Sequence, residues 1–377
     1  MQNVKTNKQF MVLSVIGIFI VVACHLAGEI YRFFKVFPYI AIFIFISGYF
    51  YKEEKEDNVF SYIFYKFKKL MIPFFIINLI YGIIVNIFKS AGIINFGEEV
   101  NLFTLFVQPF INNNQFVFNF PAWFVPTLFL TYVFYVNIHK VYRKIKFNNE
   151  VVLLIFFIIL QVVSVYYQKL TSQYTYIIIL FRIMFFLPFF QFGYIYKQKW
   201  QKYDDKIPTI PYLIILFTIN YIAYKKFGDL NYDMHEFSGF KSNILILPTI
   251  TSFIGILFYT RIARVLSKWI GESKIINYIS NSTFSIMTHH VFVSFLVGAI
   301  LYGINKNITS IPYFNIDKFK AGWVYIYEIP GKEIITQIGY LILGIGVSLL
   351  IHYVYNKIKE KAEKIDLIKK NSLGKEY

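Results

Sequence analysis

Apolar stretches of about 17–25 residues, the length that crosses a hydrocarbon core as a helix, recur ten times along the chain. They lie near 9–27, 36–51, 70–88, 121–138, 151–167, 176–196, 209–224, 242–260, 283–304 and 333–356, and the second is short for a span. Polar stretches containing Lys and Arg separate them. The two-residue alternation over ~10 residues that marks a barrel strand is absent. The pattern therefore predicts an all-α integral membrane protein, a bundle of about ten transmembrane helices.

The cations orient the bundle. With the N-terminus inside, 26 of the 38 Lys and Arg fall in the inner stretches and 11 in the outer ones, with Arg182 inside a span. An excess of cations on the cytoplasmic side predicts an N-in, C-in topology. Residues 1–356 then form one transmembrane domain and 357–377 a charged cytoplasmic tail. The stretch 52–69 (KEEKEDNVFSYIFYKFKK) starts acidic and becomes basic and aromatic, which predicts a helix lying on the inner leaflet. Residues 261–282 are a second candidate of that kind. The long outer loops, near 89–120, 225–241 and 305–332, are polar and aromatic. The first apolar run is too long for a signal peptide and lacks a small-residue cleavage site.

Composition narrows the class further. The chain is 57% hydrophobic and 16% charged, against about 45–50% and about 25% in soluble domains. Disorder, collagen, coiled coil and disulfide scaffolds are excluded. The net charge of +17 comes from cations dispersed between apolar runs, so the partner it implies is the bilayer and not nucleic acid. The single cysteine, Cys24, permits neither an internal disulfide nor a CxxC metal pair. Neither HExxH, GxSxG nor GxxxxGK[ST] occurs. Metal-dependent and serine-elbow hydrolysis are not expected, and no metal site is.

Ionisable groups inside a bilayer are expensive, so each is a functional candidate. His25 and Glu29 are spaced i, i+4 at the outer end of the first span, where a carboxylate on the same helix face could orient an imidazole as a general base. The competing reading is a boundary histidine bonded to backbone beside an exposed Glu. His289 and His290 are adjacent, so they cannot both face one site. Arg182, in the apolar run FRIMFFLPFF, is expected to meet an anion: a carboxylate, a phosphate or a ligand. Aromatics of the outer loops, Trp123 among them, suggest sugar stacking.

Six segments, in order, carry a resemblance: VVACHLAG, IFIFISGYFY, YKFKKLMIPFFI, PAWFVPTLFL, FRIMFFLPFFQFGYIY and ISNSTFSIMTHHVF. Together with ten spans they resemble the bacterial membrane-bound acyltransferase-3 family. The likeness is greatest to its sugar O-acetylase branch, of the fucose 4-O-acetylase-like kind, and covers roughly residues 9–300. It implies a multi-pass plasma-membrane enzyme moving acetyl from cytosolic acetyl-CoA, a co-substrate and not a cofactor, to a sugar hydroxyl. The acceptor would be a surface or capsular polysaccharide or its lipid-linked precursor. On this resemblance His25, Glu29 and His290 are the catalytic candidates, and Arg182, Lys66, Lys69, Trp123 and Ser47 would bind donor or acceptor. The chain departs from the family at Met11 and Ser14, where many members carry an Asp and a donor-binding Lys or Arg. Donor contacts are then expected from Arg182 and the Lys66/Lys69 region, or the activity is altered. The alternative is a polysaccharide exporter, but neither intramembrane charges spread over several helices nor repeat symmetry is found.

Overall fold

The computed structural model describes residues 7–373 apart from 27, 112–115, 146–148, 242, 323 and 325–326; the side chains of Glu29, Ala362 and residues 365–373 are outside this description. Among the described residues the regular structure is helical. The first part comprises α1 (Lys8–His25), α2 (Gly28–Phe34), α3 (Ala41–Tyr49), α4 (Val59–Lys66), α5 (Ile72–Ser90), α6 (Leu102–Phe106) and α7 (Gln108–Ile111). The middle comprises α8 (Phe124–Lys144), α9 (Glu150–Tyr166), α10 (Ile178–Ile195), α11 (Gln201–Asp204) and α12 (Thr209–Phe227). The last part comprises α13 (Leu247–Ile270), α14 (Lys274–Asn281), α15 (Thr283–Asn307), α16 (Ile316–Lys320) and α17 (Glu333–Leu373).

Each of the ten apolar stretches contains a helix, and seven helices among the described residues are long and apolar enough to cross a membrane. The three that fall short do so for different reasons. α3 has 9 residues and α9 has 17. α12 has 19 but is interrupted by Thr218, Asn220 and three tyrosines. Fifteen of the eighteen residues of α10 are buried, which makes it the central post of the bundle. Outward faces carry Ile76, Ile80, Ile83 and Ile87 on α5 and Ile155 and Ile159 on α9. Such exposed aliphatic rows suit lipid tails and not water.

The two expected surface helices are built differently. α4 passes through a π-turn at Phe67–Met71 into α5, so that Val59–Ser90 is one 32-residue apolar helix. Pro73 lacks the N–H that would bond four residues back, and the wider π-turn lets the helix continue past it. In 261–282 the first ten residues belong to α13. Arg261 holds the Asp204 and Ile207 carbonyls (2.5 and 2.6 Å) and Arg264 pairs with Asp205, tying that end of α13 to the loop after α11.

Close helix contacts are set by small residues. A Cβ added at Gly48 of α3 would lie 1.8 Å from the Phe190 carbonyl oxygen, and one at Gly193 of α10 would lie 2.1 Å from that of Phe45. The two backbones therefore touch. Beside this contact a buried polar knot joins the segment before α4 to α8, α9 and α10. His139 sits between Glu56 (2.5 Å) and Glu150 (3.3 Å), and Glu56 also accepts from Tyr51 (2.9 Å) and Arg143 (3.2 Å). Burial raises the Glu56 carboxyl, but the bonds from His139 and Tyr51 and the charges of His139 and Arg143 outweigh it and hold the group below the usual carboxylate range.

Candidate active site

A cavity of about 740 Å³ runs between α1, α3, α8, α10, α13 and α15. Its α1 wall is a helical stripe, Ser14, Ile18, Val21 and His25, at spacings of three and four that place all four on one face. Eleven residues of rise separate Ser14 from His25, about 16 Å along the axis, or roughly half of a hydrocarbon core. Ser47, Lys69, Leu70 and Thr283 line the Ser14 end. Cys24, His25, Tyr31, Tyr39, Phe120, Trp123, Asp233 and His235 line the other. Ile18, between Ser14 and His25 on α1, and Phe43, Phe124, Leu128 and Met287 give the cavity an apolar lining.

His25 closes α1. Its Nδ1–H donates to the Val21 carbonyl at 2.7 Å, and His290 on α15 donates from Nδ1 to the Ile286 carbonyl at 2.8 Å. Each bond runs one helical turn back along its own helix, so the backbone fixes both tautomers. The second acceptor of the His25 Nδ1–H is His290 Nε2, at 3.3 Å. Both lone pairs are thereby placed: that of His290 faces His25, and that of His25, on Nε2, is left for the cavity. Phe120 packs edge-on at 5.2 Å and completes the fixation of the His25 ring. His289 points elsewhere, with Nδ1 2.6 Å from the Tyr81 hydroxyl, so the adjacent histidines do diverge.

The other candidates distribute unevenly. The shared helix face expected for His25 and Glu29 does not form, because α1 stops at His25 and α2 begins at Gly28 with φ +66°. A Cβ at Gly28 would lie 2.2 Å from Gln337, whose amide oxygen takes the Ile30 N–H at 3.1 Å, so the break is where α17 packs against the chain. The side chain of Glu29 lies outside the described residues. Arg182 is buried; its hydrogen bonds go to backbone carbonyls, and the carboxylates it was expected to meet are supplied by charge at Asp233 and Glu236 of the same turn. Nε donates to Met234 O at 2.6 Å, Nη2 to His235 O, and the guanidinium stacks 4.2 Å over Trp123. It therefore supports the cavity wall from behind. Lys66 is not among the lining residues; its Nζ lies 3.6 Å above the Tyr132 ring. Lys69, Ser47 and Trp123 do line it, and Ser47 Oγ is bonded to the Phe43 carbonyl at 2.8 Å.

Residues 228–241 contribute wall residues that the sequence reading did not single out: Asn231, Tyr232, Asp233 and His235. The segment is pinned to the helix pair α1–α2 and its surroundings by Leu230 N–H to Lys35 O (3.0 Å), Asn231 Nδ2 to Phe34 O (2.6 Å) and Tyr31 OH to Asp229 (2.7 Å). Asp233 Oδ1 caps its turn, accepting from the backbone N–H of His235 and Glu236 at 2.9 and 3.0 Å. The available signal was FGDLNYDMHEF itself, a polar outer loop rich in turn-forming residues.

The family of acyltransferase domains designated acyltransferase 3 matches residues 10–357. The chain belongs to that family. No curated protein and no solved structure was found to match it. As an acyltransferase-3 protein with seven membrane-crossing candidates, it is a multi-pass membrane protein of an acyltransferase family. The matched range includes both histidines and every wall of the cavity.

Proposed function

We propose that this protein is a membrane O-acyltransferase that carries acetyl from cytosolic acetyl-CoA to a sugar hydroxyl of a surface glycan or its lipid-linked precursor, with His25 as general base. The observation that carries the reading is one cavity with a lysine at one end and an oriented imidazole lone pair at the other. Lys69 is a point charge suited to the phosphates of the donor, and the apolar lining between Ser14 and His25 suits the arm carrying the thioester. Ser14 leaves room where a longer cationic side chain would project. N-in, C-in topology places the Lys69 end toward the cytoplasm and residues 228–241 outside.

The transfer balances without a further reactant. The acceptor O–H gives its proton to His25 Nε2 as the oxygen attacks the thioester carbonyl. The C–S bond breaks, and the departing thiolate takes the proton from His25. The imidazolium formed in between keeps its Nδ1–H on the Val21 carbonyl and on His290 Nε2, which makes His290 the group that orients and stabilises His25. Trp123 offers an aromatic face to the sugar, and Arg182 fixes Trp123 and residues 234–235.

The test is mass spectrometry of surface glycans from cells carrying the wild type, His25→Ala or no protein. Loss of one acetyl mass per modified residue in the last two, with the variant inserted normally, is the expected result. Unchanged acetylation in His25→Ala removes the base from the mechanism. Glycan retained inside the cell with its modification intact favours export over transfer.

A further inference from the structure

The cavity wall that the acceptor would meet is charged in a way that bears on the acceptor's class. Among the described residues two fully charged side-chain types line the cavity, and they stand at its opposite ends: Lys69 beside Ser14, and Asp233 on the side of His25. The Asp233 carboxylate is exposed. Its Oδ1 is occupied by the two backbone N–H groups of its turn, which hold the charge in place at the wall. Cations near that wall are already engaged. Arg182 lies behind it, where its single charge is set against two carboxylates of the turn, Asp233 and Glu236, and Lys35 faces Asp229 at 3.8 Å, so the balance at this wall stays negative. His235, also on the wall, has Nδ1 2.9 Å from Glu236, a second carboxylate of the same turn. Tyr31 donates its hydroxyl proton to Asp229 and Asn231 its Nδ2 to Phe34 O, so what these two offer a neutral hydroxyl is their oxygens as acceptors, beside the hydroxyls of Tyr39 and Tyr232.

From this distribution we infer that the acceptor is an uncharged carbohydrate residue, and that Asp233 excludes sugars bearing a carboxylate from the His25 end of the cavity. The inference rests on the acyl-transfer reading and adds the charge class of its acceptor. A uronic acid seated for attack would bring its carboxylate beside Asp233 with no lining cation to neutralise it. Two like charges at such range, partly shielded by solvent, separate neutral from acidic acceptors by about tenfold or more.

The test uses the full chain in detergent with acetyl-CoA and matched pairs of soluble acceptors, methyl hexosides and the corresponding methyl hexuronides. The neutral member of an accepted pair should react about ten times faster or more. Asp233→Asn, which keeps the capping oxygen and so the turn, should bring that ratio toward one. Uronides used as well as hexosides, or a ratio untouched by Asp233→Asn, would overturn the inference while leaving acyl transfer standing. Failure to acetylate any acceptor, together with unaltered glycan acetylation in cells lacking the protein, would overturn the transfer reading and this inference with it.

Discussion

Arg182→Lys separates a donor-binding role for this residue from support of the acceptor wall. The guanidinium reaches two carbonyls of residues 234–235 at once and lies flat on Trp123; an ammonium on a shorter stem retains one contact and no plane. Losing one charge-assisted bond costs about 1.5–3 kcal/mol, since a buried carbonyl is left unpaired. Losing the stacked plane adds about 1 kcal/mol. A total near 3 kcal/mol shifts the ordering of the wall by about a hundredfold. The loop stays attached, because Leu230, Asn231 and the reciprocal Gln168–Phe240 pair (3.1 and 3.2 Å) do not involve Arg182. The loosening is confined to the neighbourhood of Asp233 and His235. Steady-state acetyl transfer in detergent, varying each substrate in turn, should show the acceptor KM raised about ten- to a hundredfold and the donor KM within about twofold. A raised donor KM with the acceptor KM unchanged would refute the reasoning and return Arg182 to the donor site.

His290→Ala should lower kcat by about 10–100-fold with both KM values unchanged, less than the loss in His25→Ala, because Val21 still fixes the tautomer of the base. Equal losses in the two variants would make His290 the base itself. Ser14→Arg should lower the acetyl-CoA KM several-fold by roughly 1 kcal/mol of added attraction to the phosphates; a collapse in yield would instead show that end of the cavity to be packed shut. Glu56, with its carboxyl held low, stabilises the fold above its unfolded pKa of about 4.3 and loses that contribution as pH falls through the lower folded value. Thermal stability in detergent should therefore drop in that acid range. Glu56→Gln should be less stable at neutral pH, by about 3 kcal/mol for a broken buried pair, and should show a shallower acid limb; an identical acid limb would exclude Glu56.

The helices were legible because lipid demands long apolar runs, and both histidines stood out as polar groups in places that tolerate few. Pairing His25 with His290 needed the crossing of α1 and α15, which residues 265 positions apart do not announce. The i, i+4 rule misled at Glu29 because it presupposes an unbroken helix, and the chain turns at Gly28, which takes a positive φ and packs against Gln337 from far along the chain. Arg182 does have the carboxylates expected for it, Asp233 and Glu236, by charge, but its hydrogen bonds go to backbone carbonyls, which carry no sequence signature. The same holds for Asp233, a turn residue that becomes part of a cavity only when residues 228–241 fold back over Arg182. The His139 knot was hidden for a different reason. Its carboxylates lie in stretches whose charge suggests a solvated membrane surface, yet Glu56 is buried.

The glycine contact between α3 and α10 has a mechanical consequence. Where two backbones touch, neither helix can slide or tilt against the other without collision, so α3 and α10 move as one piece. That piece supplies one side of the cavity, through Phe43, Ile46, Ser47 and Phe185. Any change in the width of the cavity must then fall to its other walls. Residues 228–241, on the opposite side, are anchored differently, by the buried side chains of Leu230, Met234, Phe237 and Phe240 and by hydrogen bonds to α2, Gln168 and Arg182. One side of the cavity is thus set by backbone touching backbone and the other by side chains, so a point substitution can reshape the second far more readily than the first.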